Sequence, residues 1–458
     1  MTTDDKRADI ESAKNIAWTP TDFEGYPEYD SLQKSWRRFN QQKIGVLIHW
    51  GLYSVAGIVE SWQLSDEDTW ARGKHPFRPN MSQLKKDYWG LAQQFNPVHY
   101  NPDQWARLFK QAGIQYAIFT TKHHDGFTLY DTKYSDFKIT NPKFPYAQQP
   151  RADLFGSFTA AMRQEGITPG AYYSKADWHY PAYWRPDGKP KSRHADYQPT
   201  TDPQRWQQFV KFVDQQLLEI THNYGSLGML WLDAGWVNGP DEPLNFDELM
   251  PEIRAQQPDL LVVDRTLGGR YENYVTPERQ IPTPDKLPVM PWESNVPLSN
   301  DWGYVPHADF KSIRTIILDV LKVASLGGNI VLGVGPKPDG SIEPQATKLL
   351  QQLGAWLQIN GQGIYGTTGV GAKLFKKAQQ LGWLLTEDAD HYYLFPRKKV
   401  PAQYLNLEYF GFPKQISQVA LLGSGEQLPF QNGSQKFVRL PGKLRQQLFP
   451  GIICKKSK

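Results

Sequence analysis

Tyr116-Ala117-Ile118-Phe119-Thr120 runs directly into Thr121-Lys122-His123-His124-Asp125-Gly126, an apolar run ending in cations, imidazoles and a carboxylate. The run is continuous rather than alternating in polarity. That is the pattern of a strand buried on both faces, as in parallel sheets covered by helices. Outward from it the same unit recurs, with apolar runs at 44–48, 169–173, 228–232, 260–263 and 329–333. Between and after them, amphipathic periodicity predicts helices at 102–112, 153–165, 203–222, 245–256, 309–325 and 343–360, three of them stopped by Gly113, Gly327 and Gly361. Six strands alternating with helices fit either a (β/α) barrel with two strands unrecognised or an open doubly wound sheet. No G-x-G-x-x-G follows the first strand and no G-x-x-x-x-G-K-[ST] occurs, which favours the barrel. Beyond Gly366 the units change to short runs at 372–375, 383–386, 392–395, 419–422 and 436–440, separated by turn residues. The expected architecture is therefore α/β, a TIM-like (β/α) barrel over 1–366 followed by an all-β sandwich over 367–458.

The chain has 458 residues, about three times a ~150-residue domain, which leaves room for both parts. Fifty-one Lys and Arg against 47 Asp and Glu leave +4, spread evenly except at Lys455-Lys456-Ser457-Lys458, which reads as a solvated end. Nucleic acid and anionic membranes are poor partners for such a balance. The longest apolar-looking stretch, 44–59, is broken by His49, Ser54 and three glycines, short of the ~18–20 residues a membrane helix needs. A single cysteine, Cys454, excludes an intrachain disulfide and any multi-cysteine metal site. Met1-Thr2-Thr3-Asp4-Asp5-Lys6 opens no apolar leader, so the expected location is cytoplasmic; a trimmed secreted form would read the same. Trp, Tyr and Phe make up 13% of the residues, and their flat faces suit sugar rings as well as a core.

Catalytic groups of a parallel barrel sit where strands end and loops begin. Here the runs end in His49-Trp50-Gly51, in Lys122-His123-His124-Asp125, in Tyr173-Ser174-Lys175-Ala176-Asp177-Trp178-His179, in Trp231-Leu232-Asp233-Ala234-Gly235-Trp236 and in Asp264-Arg265. Imidazoles, a guanidinium and carboxylates for hydroxyls, with indoles for C–H faces, describe a pocket for a polyhydroxylated ring. A zinc or iron hydrolase is the competing reading. It is disfavoured because adjacent His123 and His124 would point apart on a continuing strand and no H-x-H or H-E-x-x-H is present. Glycoside hydrolysis needs two carboxylates. Asp233 at a strand end is the nucleophile candidate, and Glu278 and Glu293 are candidates for its partner.

These strings resemble glycoside hydrolase family twenty-nine, the α-L-fucosidases. The similarity rests on Arg38-Phe39-Asn40, Ile48-His49-Trp50-Gly51-Leu52-Tyr53-Ser54, Thr120-Thr121-Lys122-His123-His124-Asp125-Gly126-Phe127, Tyr172-Tyr173-Ser174, Asp177-Trp178-His179, Leu230-Trp231-Leu232-Asp233, Gly335-Pro336-Lys337-Pro338-Asp339-Gly340, Trp356-Leu357-Gln358-Ile359-Asn360-Gly361 and Ile364-Tyr365-Gly366. The resemblance covers about residues 35–370 in collinear order. It implies a retaining exo-α-L-fucosidase with a barrel and a β-sandwich, no metal and no cofactor, acting on fucosylated oligosaccharides. It implies Asp233 as nucleophile and His49, His123, His124, Tyr173, Trp231 and Arg265 as fucose-binding residues. Trp62 maps to a pocket wall with Glu60 beside it, and Glu278, following Arg265, is chosen as acid/base. Glu293 is its alternative, and otherwise a pocket carboxylate beside Trp292. The resemblance extends to members that prefer α-1,3 or α-1,4 fucose on N-acetylglucosamine. Two strings depart from the family: Glu60-Ser61-Trp62 where members have Glu directly followed by Trp, and Asp233-Ala234-Gly235 where common members read Asp-Gly. Two alternatives remain, a barrel exo-glycosidase for another sugar and an inactive glycan-binding barrel. The β domain is expected to pack on the barrel, with one of Tyr392 and Tyr393 in its core.

Overall fold

The computed structural model describes residues 31–73, 76–265, 270–398, 404–429 and 437–457. The expectations about the N-terminal leader, Lys436 and Lys458 fall outside these residues. Seven strands form one sheet: β1 (Ile44–Ile48), β2 (Tyr116–Lys122), β3 (Thr168–Ser174), β4 (Met229–Asp233), β5 (Leu261–Val263), β6 (Glu293–Pro297) and β7 (Asn329–Val334). All neighbours are parallel, in the order β5-β4-β3-β2-β1-β7-β6.

The gap between β5 and β6 is spanned by the irregular segment 273–278. On one side Asn273 N–H donates to Val262 O at 2.7 Å, while Val262 N–H donates to the Asn273 side chain at 2.6 Å. On the other, Glu293 N–H reaches Val275 O at 2.9 Å and Asn295 N–H reaches Pro277 O at 3.0 Å. Seven strands and this stave make an eight-part ring. The two staves that apolar periodicity misses are thus 273–278 and β6. The latter, Glu-Ser-Asn-Val-Pro, is fully buried yet polar because it faces a polar barrel interior.

Helices Pro102–Gln111, Leu154–Gln164, Pro203–Asn223, Phe246–Gln256, Ile313–Ser325 and Pro344–Asn360 lie where the periodicity places them. Asn101, Asp153, Asp202 and Ser312 cap four of these by accepting from a backbone N–H three residues on. Gly113 and Gly327 take left-handed φ of 82° and 85°, the conformation of a helix stop. Gly361 does not stop its helix: at φ −61° it leads into the 3-10 turn Gly361–Gly363.

The C-terminal part is antiparallel. It contains β8 (Thr368–Gly369), β9 (Trp383–Glu387), β10 (His391–Pro396), β11 (Tyr404–Asn406), β12 (Ile416–Leu421), β13 (Phe437–Arg439) and β14 (Ile452–Lys456). Five form a sheet ordered β12-β14-β10-β9-β8, and β11 pairs with β13. The expected strand at 372–375 is instead the start of helix Ala372–Gln380, whose buried residues Leu374, Phe375 and Ala378 follow helical spacing. The basic tail is not a loose end, since Lys455 and Lys456 belong to β14 and Lys456 Nζ lies 2.7 Å from Glu387. Both Tyr392 and Tyr393 are buried, the first stacked on Phe412 and the second donating to Asp388 at 2.6 Å. Neither offers a ring to a glycan.

Helix Pro344–Asn360 joins the two parts. Trp356 Nε1 donates to Leu448 O at 2.9 Å, and the Asn360 side chain accepts from Gly451 N at 2.9 Å. The same helix meets Pro102–Gln111 at Gly354, where a β-carbon would stand 2.1 Å from Gln111 O. Among the described residues no helix is long and apolar enough to cross a membrane. Gly354→Ala should therefore cost about 1–3 kcal/mol by overpacking. Thermal unfolding checks it; an unchanged melting temperature would contradict so close an approach.

Candidate active site

Side-chain parity decides which strand residues reach the pocket. On β4, Met229, Trp231 and Asp233 share the face directed into the barrel, and on β3 the matching residues are Tyr172 and Ser174. The parallel register sets Tyr172 beside Trp231 and Ser174 beside Asp233, and the rings of Tyr172 and Trp231 stack at 5.4 Å. Tyr172 OH then donates to Asp233 Oδ2 at 2.5 Å. Tyr173 points the other way, to the helix layer, where its hydroxyl accepts from Lys122 at 3.1 Å and donates to Gln216 at 2.9 Å. The fucose-binding role implied for Tyr173 is corrected accordingly: its neighbour Tyr172, not Tyr173, reaches Asp233.

Asp233 and Glu278 are tied to one guanidinium. Arg265 Nη1 lies 3.3 Å from Asp233 Oδ1, and Nη2 lies 3.1 Å from Glu278 Oε2. Arg265 also stacks over Trp231, 4.6 Å from the ring centroid. The other Glu278 oxygen accepts from Trp302 Nε1 at 3.1 Å. Glu278 ends the irregular stave, which explains why no strand-end pattern marks it.

Three imidazoles surround these carboxylates. His49 stacks on Trp302 at 5.1 Å, and burial pushes its pKa down to about 4 despite the nearby charges of Asp233 and Glu278. His123 Nδ1 lies 2.5 Å from the Ser61 hydroxyl. His124 Nδ1 lies 2.6 Å from Ser174 Oγ, which itself donates to Ala176 O at 2.7 Å. With that proton spent, His124 must donate from Nδ1, so its buried Nε2 presents a lone pair 3.9 Å from Asp233 Oδ2. Burial holds its pKa well below the usual histidine range, so it is neutral and accepts a hydroxyl proton rather than giving one.

The expectation that His123 and His124 point apart fails because β2 ends at Lys122. A register shift between Thr120 and Lys122 turns Lys122 outward onto Tyr173 and Asp177, and the two imidazoles then lie 4.2 Å apart. Among the described residues, His123, His124 and Asp233 hold ligand atoms within 4.8 Å of one another and could take a metal. Arg265 on the same carboxylate opposes a divalent cation there.

Glu60 and Trp62 both line the pocket, Trp62 edge-on to His124 at 4.8 Å. Glu60 Oε1 accepts from Gly303 N at 3.2 Å. Trp292 and Glu293 do not reach it: Glu293 begins β6 and Trp292 directly precedes it, at the opposite end of the strand from the catalytic face. Trp292 packs over Gly328, and Glu293 accepts from Tyr116 OH at 2.6 Å deep in the barrel. Burial, partly offset by that hydrogen bond, raises Glu293 to about 7. Four lining residues escape the sequence reading, Leu47, Arg193, Asn295 and Trp302, as does Tyr172 behind Asp233. Arg193 lies on a long loop with its guanidinium over Trp62 at 5.1 Å; only its place after the third strand hinted at it.

Two carboxylates sharing a cation at the mouth of a parallel barrel place the protein among the glycoside hydrolases. A sequence profile described as Alpha-L-fucosidase matches residues 12–362. Tissue alpha-L-fucosidase of Bos taurus is 30% identical over 367 residues, 74% of this chain and 71% of that protein. Among solved structures, alpha-L-fucosidase isoenzyme 1 from Paenibacillus thiaminolyticus superposes with a TM-score of 0.77 at 27% identity, covering 93% of this chain and 100% of that one. A Bacteroides thetaiotaomicron GH29 alpha-L-fucosidase, solved as a trapped covalent intermediate with 2-fluoro-fucosyl fluoride, gives 0.74 at 23% identity, covering 93% and 96%. The chain belongs to the α-L-fucosidase family of glycoside hydrolases.

Tyr172→Phe should lower kcat roughly 10- to 100-fold, the loss of one hydrogen bond to a charged group, whereas Tyr173→Phe should leave kcat alone. Equal losses in both would reverse the parity assignment. Burial pushes the Glu293 carboxyl up to about 7 from its ordinary 4.5. Its raised pKa favours the folded state fully below pH ~4.5 and loses that advantage as pH rises through about 7. Wild type should thus lose more thermal stability between pH 5 and 8 than Glu293→Gln, as scanning calorimetry would measure.

Proposed function

We propose that this chain releases terminal α-linked L-fucose from oligosaccharides with retention, using Asp233 as nucleophile and Glu278 as acid/base. The observation that supports the assignment is the Arg265 bridge, one guanidinium in contact with both carboxyl groups. In the first step Asp233 attacks the anomeric carbon as the glycosidic bond breaks, and the Glu278 proton passes to the departing oxygen. In the second, the Glu278 carboxylate takes a proton from water, whose oxygen displaces Asp233 from the same carbon. Two inversions return the original configuration. The covalent intermediate trapped in the Bacteroides relative supports this course.

Arg265 and Tyr172 stabilise the Asp233 carboxylate as it departs in the second step. Neutral His49 and His124, with His123, supply ring nitrogens for sugar hydroxyls, and Trp62 and Trp231 supply apolar faces. The same scaffold with a lost activity would not need two carboxylates bridged in this way. The proposed aglycone is N-acetylglucosamine carrying α-1,3 or α-1,4 fucose.

The test is turnover of 4-nitrophenyl α-L-fucopyranoside by Asp233→Gly and Glu278→Gly with and without azide. On this substrate both variants should lose about 100-fold or more in kcat, Asp233→Gly for want of the nucleophile and Glu278→Gly for want of the base in the second step. Azide should rescue Asp233→Gly as the inverted fucosyl azide and Glu278→Gly as the retained one. A fully active Glu278→Gly would overturn its role.

A further inference from the structure

Glu293 is a carboxyl that the double displacement leaves unused. It is fully buried at the start of β6, and Tyr116 OH donates to its Oε2 at 2.6 Å. The Tyr116 ring is wedged over β1, where a β-carbon on Gly45 would stand 2.2 Å from it. Glycine at position 45 therefore makes the room in which the phenol reaches Glu293. The second oxygen, Oε1, is buried and makes no close hydrogen bond among the described residues, and the same holds for the indole Nε1 of Trp231. These two atoms answer each other. The Trp231 N–H acts on the Glu293 carboxyl as a hydrogen-bond donor, opposing the rise that burial imposes.

Trp231 carries the consequence to the pocket. Its N–H edge meets Glu293, while its π surface carries the two groups that hold Asp233. Tyr172 stacks on it at 5.4 Å with 20° between the planes, and the Arg265 guanidinium lies 4.6 Å from its centroid. Tyr172 OH reaches Asp233 Oδ2 at 2.5 Å, and Arg265 Nη1 reaches Oδ1 at 3.3 Å. A carboxylate that accepts the indole N–H fixes the rotation of the ring and polarises it, which strengthens its attraction for a cation.

We infer that Glu293 is a positioning residue for the displacement at Asp233, acting through Trp231 to hold Arg265 and Tyr172 against the Asp233 carboxylate. The inference rests on the fucosidase reading, in which Asp233 is the nucleophile. Tyr116 from β2, Tyr274 from the stave 273–278 and Trp231 from β4 face the Glu293 carboxyl. Burial holds both phenols well above the ordinary tyrosine range, so they stay neutral. Glu293 is then the group of this cluster that ionises near neutral pH, and its ionisation tightens the bond from the indole.

The experiment joins indole NMR to kinetics. In protein carrying isotopically labelled tryptophan, the Trp231 indole resonance, assigned by its loss in Trp231→Phe, should shift as pH passes through about 7. In Glu293→Gln it should stay fixed. Glutamine offers one acceptor to two donors, so kcat for 4-nitrophenyl α-L-fucopyranoside at about pH 8 should fall roughly three- to tenfold in that variant, with KM moving less. Tyr116→Phe keeps the carboxylate and removes the bond that draws its pKa down, so the inflection should move to higher pH. A Trp231 resonance that stays still between about pH 6 and 8, or a Glu293→Gln enzyme with wild-type kcat across that range, overturns the inference. Should Glu293→Gln fail to fold, an unmoved inflection in Tyr116→Phe overturns it equally. The resonance is read without substrate, so wild-type inactivity on the fucoside strikes the fucosidase reading alone, and failure of one is distinguishable from failure of the other.

Discussion

Two carboxyl groups at one centre repel each other whenever both are ionised, and Arg265 lies between them. Like charges ~4 Å apart cost about 4 kcal/mol at an effective dielectric of ~20, and a shared guanidinium turns that repulsion into two attractions. Much of the neighbouring architecture holds this cation in place. Its backbone adopts φ 52°, and Gly235 approaches so closely that a β-carbon there would meet Arg265 O at 2.2 Å. Beneath it Lys175 and Asp264 form a buried ion pair at 2.8 Å, while Lys175 N–H donates to Asp233 O at 3.1 Å. The ends of β3, β4 and β5 are thereby cross-tied around the reacting centre. Such a buried pair is costly to break, because the abandoned partner stays charged in a low-dielectric site.

The loop after Asp233 shows what that arrangement demands of the chain. Ala234 has φ 65°, a region that disfavours a β-carbon by about 1 kcal/mol. The glycine that common family members carry directly after the nucleophile would occupy this conformation without strain. Here the strained alanine is accommodated, and the turn delivers Gly235 against the Arg265 backbone. The departure from the family string therefore changes the cost of the turn and leaves the chemistry of Asp233 intact.

The imidazoles illustrate a second consequence of burial. Desolvation removes their charge, and the Ser174–Ala176 hydrogen bond sets the His124 tautomer, so the ring accepts where a charged histidine would donate. A pocket with a guanidinium, a neutral acceptor nitrogen and two carboxylates can distinguish the hydroxyls of a sugar by the direction of each hydrogen bond as well as by shape. The barrel closes below this layer around Glu293 and Tyr116, a polar interior that supports the pocket without lining it.

Six of the parallel strands, the principal helices and the strand-end residues His49, His123, His124, Trp231, Asp233 and Arg265 were legible from the sequence. Continuous apolar runs mark buried strands, and polar groups directly after them mark the catalytic end. The polar strand β6 and the stave 273–278 carry no such signal, because a barrel interior that binds polar groups loses its hydrophobic pattern. The choice between Tyr172 and Tyr173 belonged to tertiary structure alone, while the preference for Glu278 over Glu293, read from its place after Arg265, acquired a physical reason only in the depth at which each carboxyl lies. A strand's two faces have the same composition until its register is known, and a carboxylate's role depends on which end of the barrel it occupies. Local sequence therefore determined which residues could do the chemistry, and parity, ring closure and depth decided which of them meet.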